Sequence, residues 1–162
     1  MYRYGGVYID IDMSATSHIS IPPNADVYSG LGVWTHLPEV PNGVSGGVLE
    51  HWALAFSPRH ALPAKTIDYI IHNLKNPNNK YLTRKEYIES EDSMTMRLTG
   101  PAVYQRALRH IVVNQSSCIG TEMIDILENP KQFCNMTSFE QLMGNFVSAK
   151  QVPMGSSLVG KR

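Results

Sequence analysis

Tyr4-Gly5-Gly6-Val7-Tyr8-Ile9-Asp10-Ile11-Asp12 is the stretch on which the reading of this chain turns. Val7, Ile9 and Ile11 alternate with Tyr8, Asp10 and Asp12, the period-two pattern of a β-strand. The pleat sends Tyr8, Asp10 and Asp12 to one face. Val7, Ile9 and Ile11 point the other way, where a core is expected. Gly5-Gly6 permits the positive φ of a tight turn at the strand's entry. Two carboxylates side by side repel unless a cation sits between them. Hard oxygen ligands select Mg²⁺, Mn²⁺ or Ca²⁺, and two of them leave coordination positions open for water and diphosphate oxygens. In such an arrangement a metal can hold a nucleotide diphosphate leaving group. Tyr8 offers a ring for a sugar or base.

Outward from this strand, residues 13–47 are rich in breakers, with Pro22-Pro23, Pro38, Pro41, Gly43, Gly46 and Gly47. A short strand is expected within 27–34. Beyond it the pattern reads as helical. Val48 to Phe56 fits a short helix, and Ala61 to Leu74 a longer one with Ile67, Ile70, Ile71 and Leu74 on one face. Thr83 and Glu86 form a capping box for a helix through Ile88. Pro101 suits a first helical turn, followed by the apolar stripe Val103, Tyr104, Ala107, Leu108, Ile111 and Val112. Residues 119–127 continue as helix. Thr137 and Glu140 form a second capping box, for a helix through Phe146, and a last strand follows over 146–152. The tail, 155–162, is small, polar and expected to be flexible. The whole reads as an α/β fold with few strands and several packed helices.

The 162 residues suffice for one domain with a core, and 43% hydrophobic against 17% charged residues is an ordinary globular balance. Lys plus Arg and Asp plus Glu number 14 each, so no basic excess points to nucleic acid or an acidic membrane surface. No apolar run approaches the roughly 20 residues of a bilayer span, and no apolar signal segment opens the chain. Cys118 and Cys134 can pair or stay free, with free buried thiols the favoured reading. Asn114-Gln-Ser116 and Asn135-Met-Thr137 match the N-glycosylation sequon.

Three segments together resemble glycosyltransferase family 32, which includes the yeast-type initiating α-1,6-mannosyltransferases. The first is Tyr4 to Asp12, similar to that family's Asp-x-Asp sugar-binding signature. The second, Trp52-Ala-Leu-Ala-Phe-Ser-Pro-Arg-His60-Ala-Leu, looks like the family's tryptophan helix and its Pro-Gly-His-Pro turn, with Arg59 for Gly and Ala61 for Pro. The third, Thr99-Gly100-Pro101, looks like its Thr-Gly-Pro segment. The resemblance covers roughly residues 2–113. It implies a GT-A-like fold and a metal-dependent, retaining transfer of a hexose from GDP-mannose or a UDP-hexose to a glycan or lipid acceptor. Mn²⁺ or Mg²⁺ would be the cofactor. Asp12 would bind the metal directly, and Asp10 would reach it or the donor. Tyr8, Gly6, Thr99 and Gly100 would line the donor pocket. The family's nucleotide-binding strands precede the motif, so residues 1–162 read as the C-terminal part of such a catalytic domain, truncated at its N-terminus. A fragment of that kind is expected to bind donor poorly, or to be inactive. Any membrane tether would lie in a segment absent from this chain. The family implies the Golgi lumen for a eukaryotic source and the cytoplasm otherwise.

Other residues read more simply. His60 is expected to be a turn histidine bonded to backbone, ahead of a general base. Glu89, Glu91 and Asp92 read as a solvated loop, ahead of a group facing the donor sugar. Trp34 and Trp52 read as core residues, ahead of substrate platforms. The six His show no zinc spacing. Gly43 to Gly47 lacks the Lys-Ser/Thr ending of a phosphate loop. Ser156 and Ser157 are the nearest candidates for a late metal ligand. The rival functions are a non-catalytic remnant or sugar- or metal-binding module, and a structural Ca²⁺-binding domain.

Overall fold

The computed structural model describes residues 1–11, 20–32, 48–78, 95, 97–119 and 123–149. Among them, β1 (Gly6–Ile9), β2 (Val27–Gly32), β3 (Val48–Phe56) and β4 (Phe146–Ala149) form one mixed sheet in the order β1-β3-β2-β4. β3 is antiparallel to β1 and β2, and β4 is parallel to β2. Around the sheet lie α1 (Ala61–Lys75), α2 (Pro101–Arg109), α3 (Met123–Glu128), α4 (Pro130–Phe133) and α5 (Met136–Met143). α2 runs on into wider π-type turns over His110–Gln115. The fold is mixed α/β, as expected at that level.

Val48–Phe56 is a strand, where local spacing suggests a helix. A short apolar run has no periodicity that separates the two. What decides is pairing on both sides: Phe56 lies opposite Gly6 of β1 and Val27 of β2. A central strand satisfies its backbone groups through such neighbours, which are distant in sequence.

The core holds Val27, Leu54 and Phe56 from the sheet and Tyr104, Ala107, Leu108, Ile111 and Val112 from the stripe of α2 and its extension. That stripe is buried as its spacing predicts. In α1 the outcome differs. Ile67, Ile71 and Leu74, expected inward, are exposed. The inward residues are Leu62, buried, Tyr69, packed on the core, and Asn73, buried with its amide donating to the Leu98 carbonyl at 3.4 Å. These three lie on one helical stripe, and bonding Asn73 and Tyr69 to their partners turns the isoleucines out. The Tyr69 hydroxyl is 3.1 Å from His110 Nδ1.

α5 is capped by Asn135 rather than Thr137. The Asn135 Oδ1 accepts from the backbone N–H of Thr137 and Ser138. Gly144 ends the helix at φ 66°, where a Cβ would collide with the Asp26 carboxylate. Asp26 Oδ2 accepts from the Asn145 N–H at 2.8 Å, which seats β4 beside β2. Residues 116–119 are not helical, and the described helix of the expected 119–127 stretch is Met123–Glu128. Cys118 and Cys134 are joined as a disulfide, correcting the free-thiol reading. A count of cysteines carries no distance; here the Ile119 N–H donates to the Phe133 carbonyl at 2.6 Å and draws the two cysteines together. The Thr83–Glu86 box, Trp34, the 43–47 glycines, the acidic group at 89–92, Ser156, Ser157 and the tail lie outside the described residues.

Candidate functional site

The site begins with the Gly5-Gly6 turn. The Gly5 N–H donates to the Met1 carbonyl at 2.7 Å, and φ is 68° at Gly5 and 104° at Gly6. A Cβ on Gly5 would stand 2.6 Å from the Phe56 carbonyl oxygen, so the chain can only enter β1 this close to β3 with glycine there. Beyond Ile9 the pairing continues one residue, with the Asp10 N–H donating to the Trp52 carbonyl at 2.9 Å.

Tyr8 lies opposite Leu54, and Asp10 opposite Trp52. Cross-strand partners share a face, so Tyr8 and Asp10 emerge on the side of the sheet that carries the helical core, at its margin. The Tyr8 hydroxyl donates to Asp10 Oδ1 at 2.5 Å. The two side chains therefore do come together, as their spacing predicts. Asp12 lies outside the described residues. Val7, Ile9 and Ile11 do not enter a core: they are 57%, 44% and 104% exposed. Val7 and Ile9 lie opposite Ala55 and Ala53, on the sheet side away from Leu54 and Phe56, and Ile11 stands beyond the strand.

The Asp10 carboxylate is half-exposed and makes no ion pair among the described residues. Its hard oxygens suit a divalent cation that takes most of its ligands from water and phosphate. No group of three His, Cys, Asp or Glu side chains stands together among the described residues.

Behind Asp10, β3 contributes a pair that sequence reasoning missed. Trp52 is half-buried and lies outside the hydrophobic cluster, which corrects its reading as a core residue. Its indole Nε1–H donates to Glu50 Oε2 at 2.8 Å. Glu50 is only 4% exposed. Ser29 Oγ donates to the Glu50 carbonyl at 2.8 Å. Gly30 leaves room for the Glu50 side chain, since a Cβ there would stand 3.3 Å from Glu50 Cγ. The available signal was a lone acid inside the apolar run 48–56.

Thr99 is exposed, its hydroxyl donating to the Thr95 carbonyl at 3.3 Å, and Gly100 is the N-cap of α2 without a side-chain cap. No contact among the described residues brings Thr99 or Gly100 to Tyr8 or Asp10; α2 meets β3 through Gln105, whose Nε2 donates to the Leu49 carbonyl at 2.7 Å, next to Glu50.

His60 is a backbone-bonded turn histidine, as its context predicts. Nδ1 accepts from the Leu62 N–H at 3.1 Å, capping α1, so the proton resides on Nε2, which donates to the Met143 carbonyl at 2.8 Å. Burial holds its pKa below the ordinary 6.5, partly offset by the Met143 bond and the Asp26 charge. No helix among the described residues is long and apolar enough to cross a membrane. Asn114 and Asn135 of the two sequons are exposed. Comparisons with protein-family models, with curated proteins and with solved structures find no match to the chain.

Proposed function

We propose that the chain is the Asp-x-Asp part of a GT-A-like, metal-dependent retaining glycosyltransferase acting on a nucleotide-diphosphate sugar. The observation that carries the reading is the exposed Tyr8–Asp10 pair, in which the phenol bonds the carboxylate and the carboxylate makes no ion pair among the described residues. Asp10 and Asp12 would hold Mn²⁺ or Mg²⁺. The ion would supply charge neutralisation at the departing diphosphate. Asp10, kept in place by Tyr8, orients the donor, and Tyr8 lines the pocket beside it. Gly6, Thr99 and Gly100 offer backbone close to the sugar. Arg59 lends support as well: it replaces the family's turn glycine and adopts φ 60°, the conformation glycine favours. The Cys118–Cys134 bridge suits an oxidising compartment such as the Golgi lumen.

The test is calorimetric titration of the chain with Mn²⁺ plus GDP or UDP, followed by an assay of hexose transfer from GDP-mannose and UDP-glucose. Weak but saturable, Mn²⁺-dependent nucleotide binding is expected, lost in Asp10→Ala and Asp12→Ala. Binding that needs no metal, or that survives both substitutions, overturns the assignment. Metal-dependent binding without transfer selects a non-catalytic binding module. Cation binding indifferent to nucleotide selects a structural Ca²⁺ domain.

A further inference from the structure

Glu50 is an expensive residue for its position. A carboxyl group almost wholly removed from water is disfavoured unless it is hydrogen-bonded. This one is 4% exposed, takes the indole N–H of Trp52 at 2.8 Å, and makes no ion pair among the described residues. Gly30, at the point where the β2–β3 register shifts, leaves the Glu50 side chain room. An apolar side chain would fill the same volume at lower cost. What an apolar side chain would not do is fix the indole. Trp52 adjoins Asp10 at the sheet margin, its carbonyl accepting the Asp10 N–H at 2.9 Å. Tyr8 is bonded to Asp10 there. A ring, a phenol and a carboxylate thus share one margin of the sheet, with the ring tied down from behind.

We propose that Trp52 is the sugar platform of the Asp10 site and that Glu50 is the positioning residue that aims its ring; the proposal rests on the donor-site reading given above. A hexose has an apolar face of C–H groups and a rim of hydroxyls. The first stacks on an aromatic ring, and the second bonds to a carboxylate and a phenol. Stacking rewards a ring whose rotamer is already set, because no side-chain freedom is then lost on binding. The Nε1–H bond to Glu50 sets it.

The chain has two tryptophans, Trp34 and Trp52, so Trp34→Phe leaves Trp52 as the single emitter. In that background, with Mn²⁺ present, GDP-mannose or UDP-glucose is expected to shift and quench the emission, whereas GDP or UDP alone leaves it nearly unchanged. By calorimetry, Trp52→Leu should weaken sugar-nucleotide binding by roughly ten-fold and leave nucleoside diphosphate binding as it was. Glu50→Gln keeps an acceptor for the indole and should stay within about two-fold of the parent. Glu50→Leu should lose as much as Trp52→Leu, with free nucleotide again unaffected. Equal emission changes with and without the sugar overturn the proposal, as does full sugar affinity in Glu50→Leu. If no nucleotide binds with Mn²⁺ at all, the donor-site reading itself falls and this proposal with it. Should the leucine variants fail to fold by circular dichroism, the single-tryptophan titration decides.

Discussion

Arg59 holds φ 60° on the turn between β3 and α1, and its N–H donates to the Tyr2 carbonyl at 2.6 Å. A side chain in that left-handed region costs about 1 kcal/mol, and Arg59 is exposed, so nothing visible offsets the cost. Arg59→Gly keeps the backbone bond and removes the strain. Against that stands a somewhat larger loss of unfolded-state entropy. The expected balance is a gain of at most about 0.5 kcal/mol, read as a slightly higher urea midpoint with an unchanged slope. A lower midpoint would mean that the arginine side chain stabilises the turn more than the strain costs. At this scale the sequence was informative wherever chemistry is local. The positive φ at Gly5 and Gly6 and the meeting of Tyr8 with Asp10 follow from residue type and spacing. Glu50 was not visible in the same way, because its partner on Trp52 and its space at Gly30 exist only once β2 and β3 are paired.

Among the elements, helices 61–75 and 101–109 could be read from their spacing, but the orientation of α1 could not. Its four apolar residues at 67, 70, 71 and 74 look like a core stripe, yet the stripe through Leu62, Tyr69 and Asn73 faces inward. Hydrophobic periodicity does not weigh a buried amide bonded to a carbonyl of another segment. β3 is a strand against its local spacing for a related reason, since strand pairing is non-local. His60 couples two elements, capping α1 with Nδ1 and holding the end of α5 through Nε2. Its pKa is lowered in the fold, so above pH 6.5 both the native and the unfolded chain carry it neutral and its contribution is complete. Below 6.5 the unfolded chain takes up a proton that the native state refuses, and stability falls by up to about 1.4 kcal/mol per pH unit. The loss stops once pH passes below the native pKa. Protonating Nδ1 also removes the cap acceptor. His60→Asn retains an N-cap oxygen and has nothing to titrate. Urea midpoints measured between pH 7.5 and 5 should therefore drop more steeply for the parent than for His60→Asn. Parallel pH profiles would show that His60 titrates normally in the fold.

For the molecule as a whole, the sheet is covered by helices on the face of Leu54 and Phe56, and β1 sits at one edge of the described sheet with both its faces exposed. The helical side is fastened at a second point far along the chain. The Cys118–Cys134 bridge closes a loop with a sequence separation of 16 and ties the end of the π-type turns to the end of α4. Inside that loop, Met123, Ile126 and Leu127 deliver α3 to the core, so the bridge constrains residues that pack rather than a bare surface loop. Closing a loop of this length removes unfolded-state freedom worth about 3 kcal/mol. Cys118 is itself buried, so replacing it also removes packed volume. Cys118→Ala/Cys134→Ala should therefore lose about 3 kcal/mol or slightly more, and the parent in excess dithiothreitol somewhat less, because its thiols still fill the space. Denaturation of all three samples separates the terms: parent against reduced parent gives the cross-link, and reduced parent against the double alanine variant gives the packing. If reduction leaves the midpoint where it was, the cross-link contributes nothing and the α3–α4 segment is held by Met123, Ile126 and Leu127 alone.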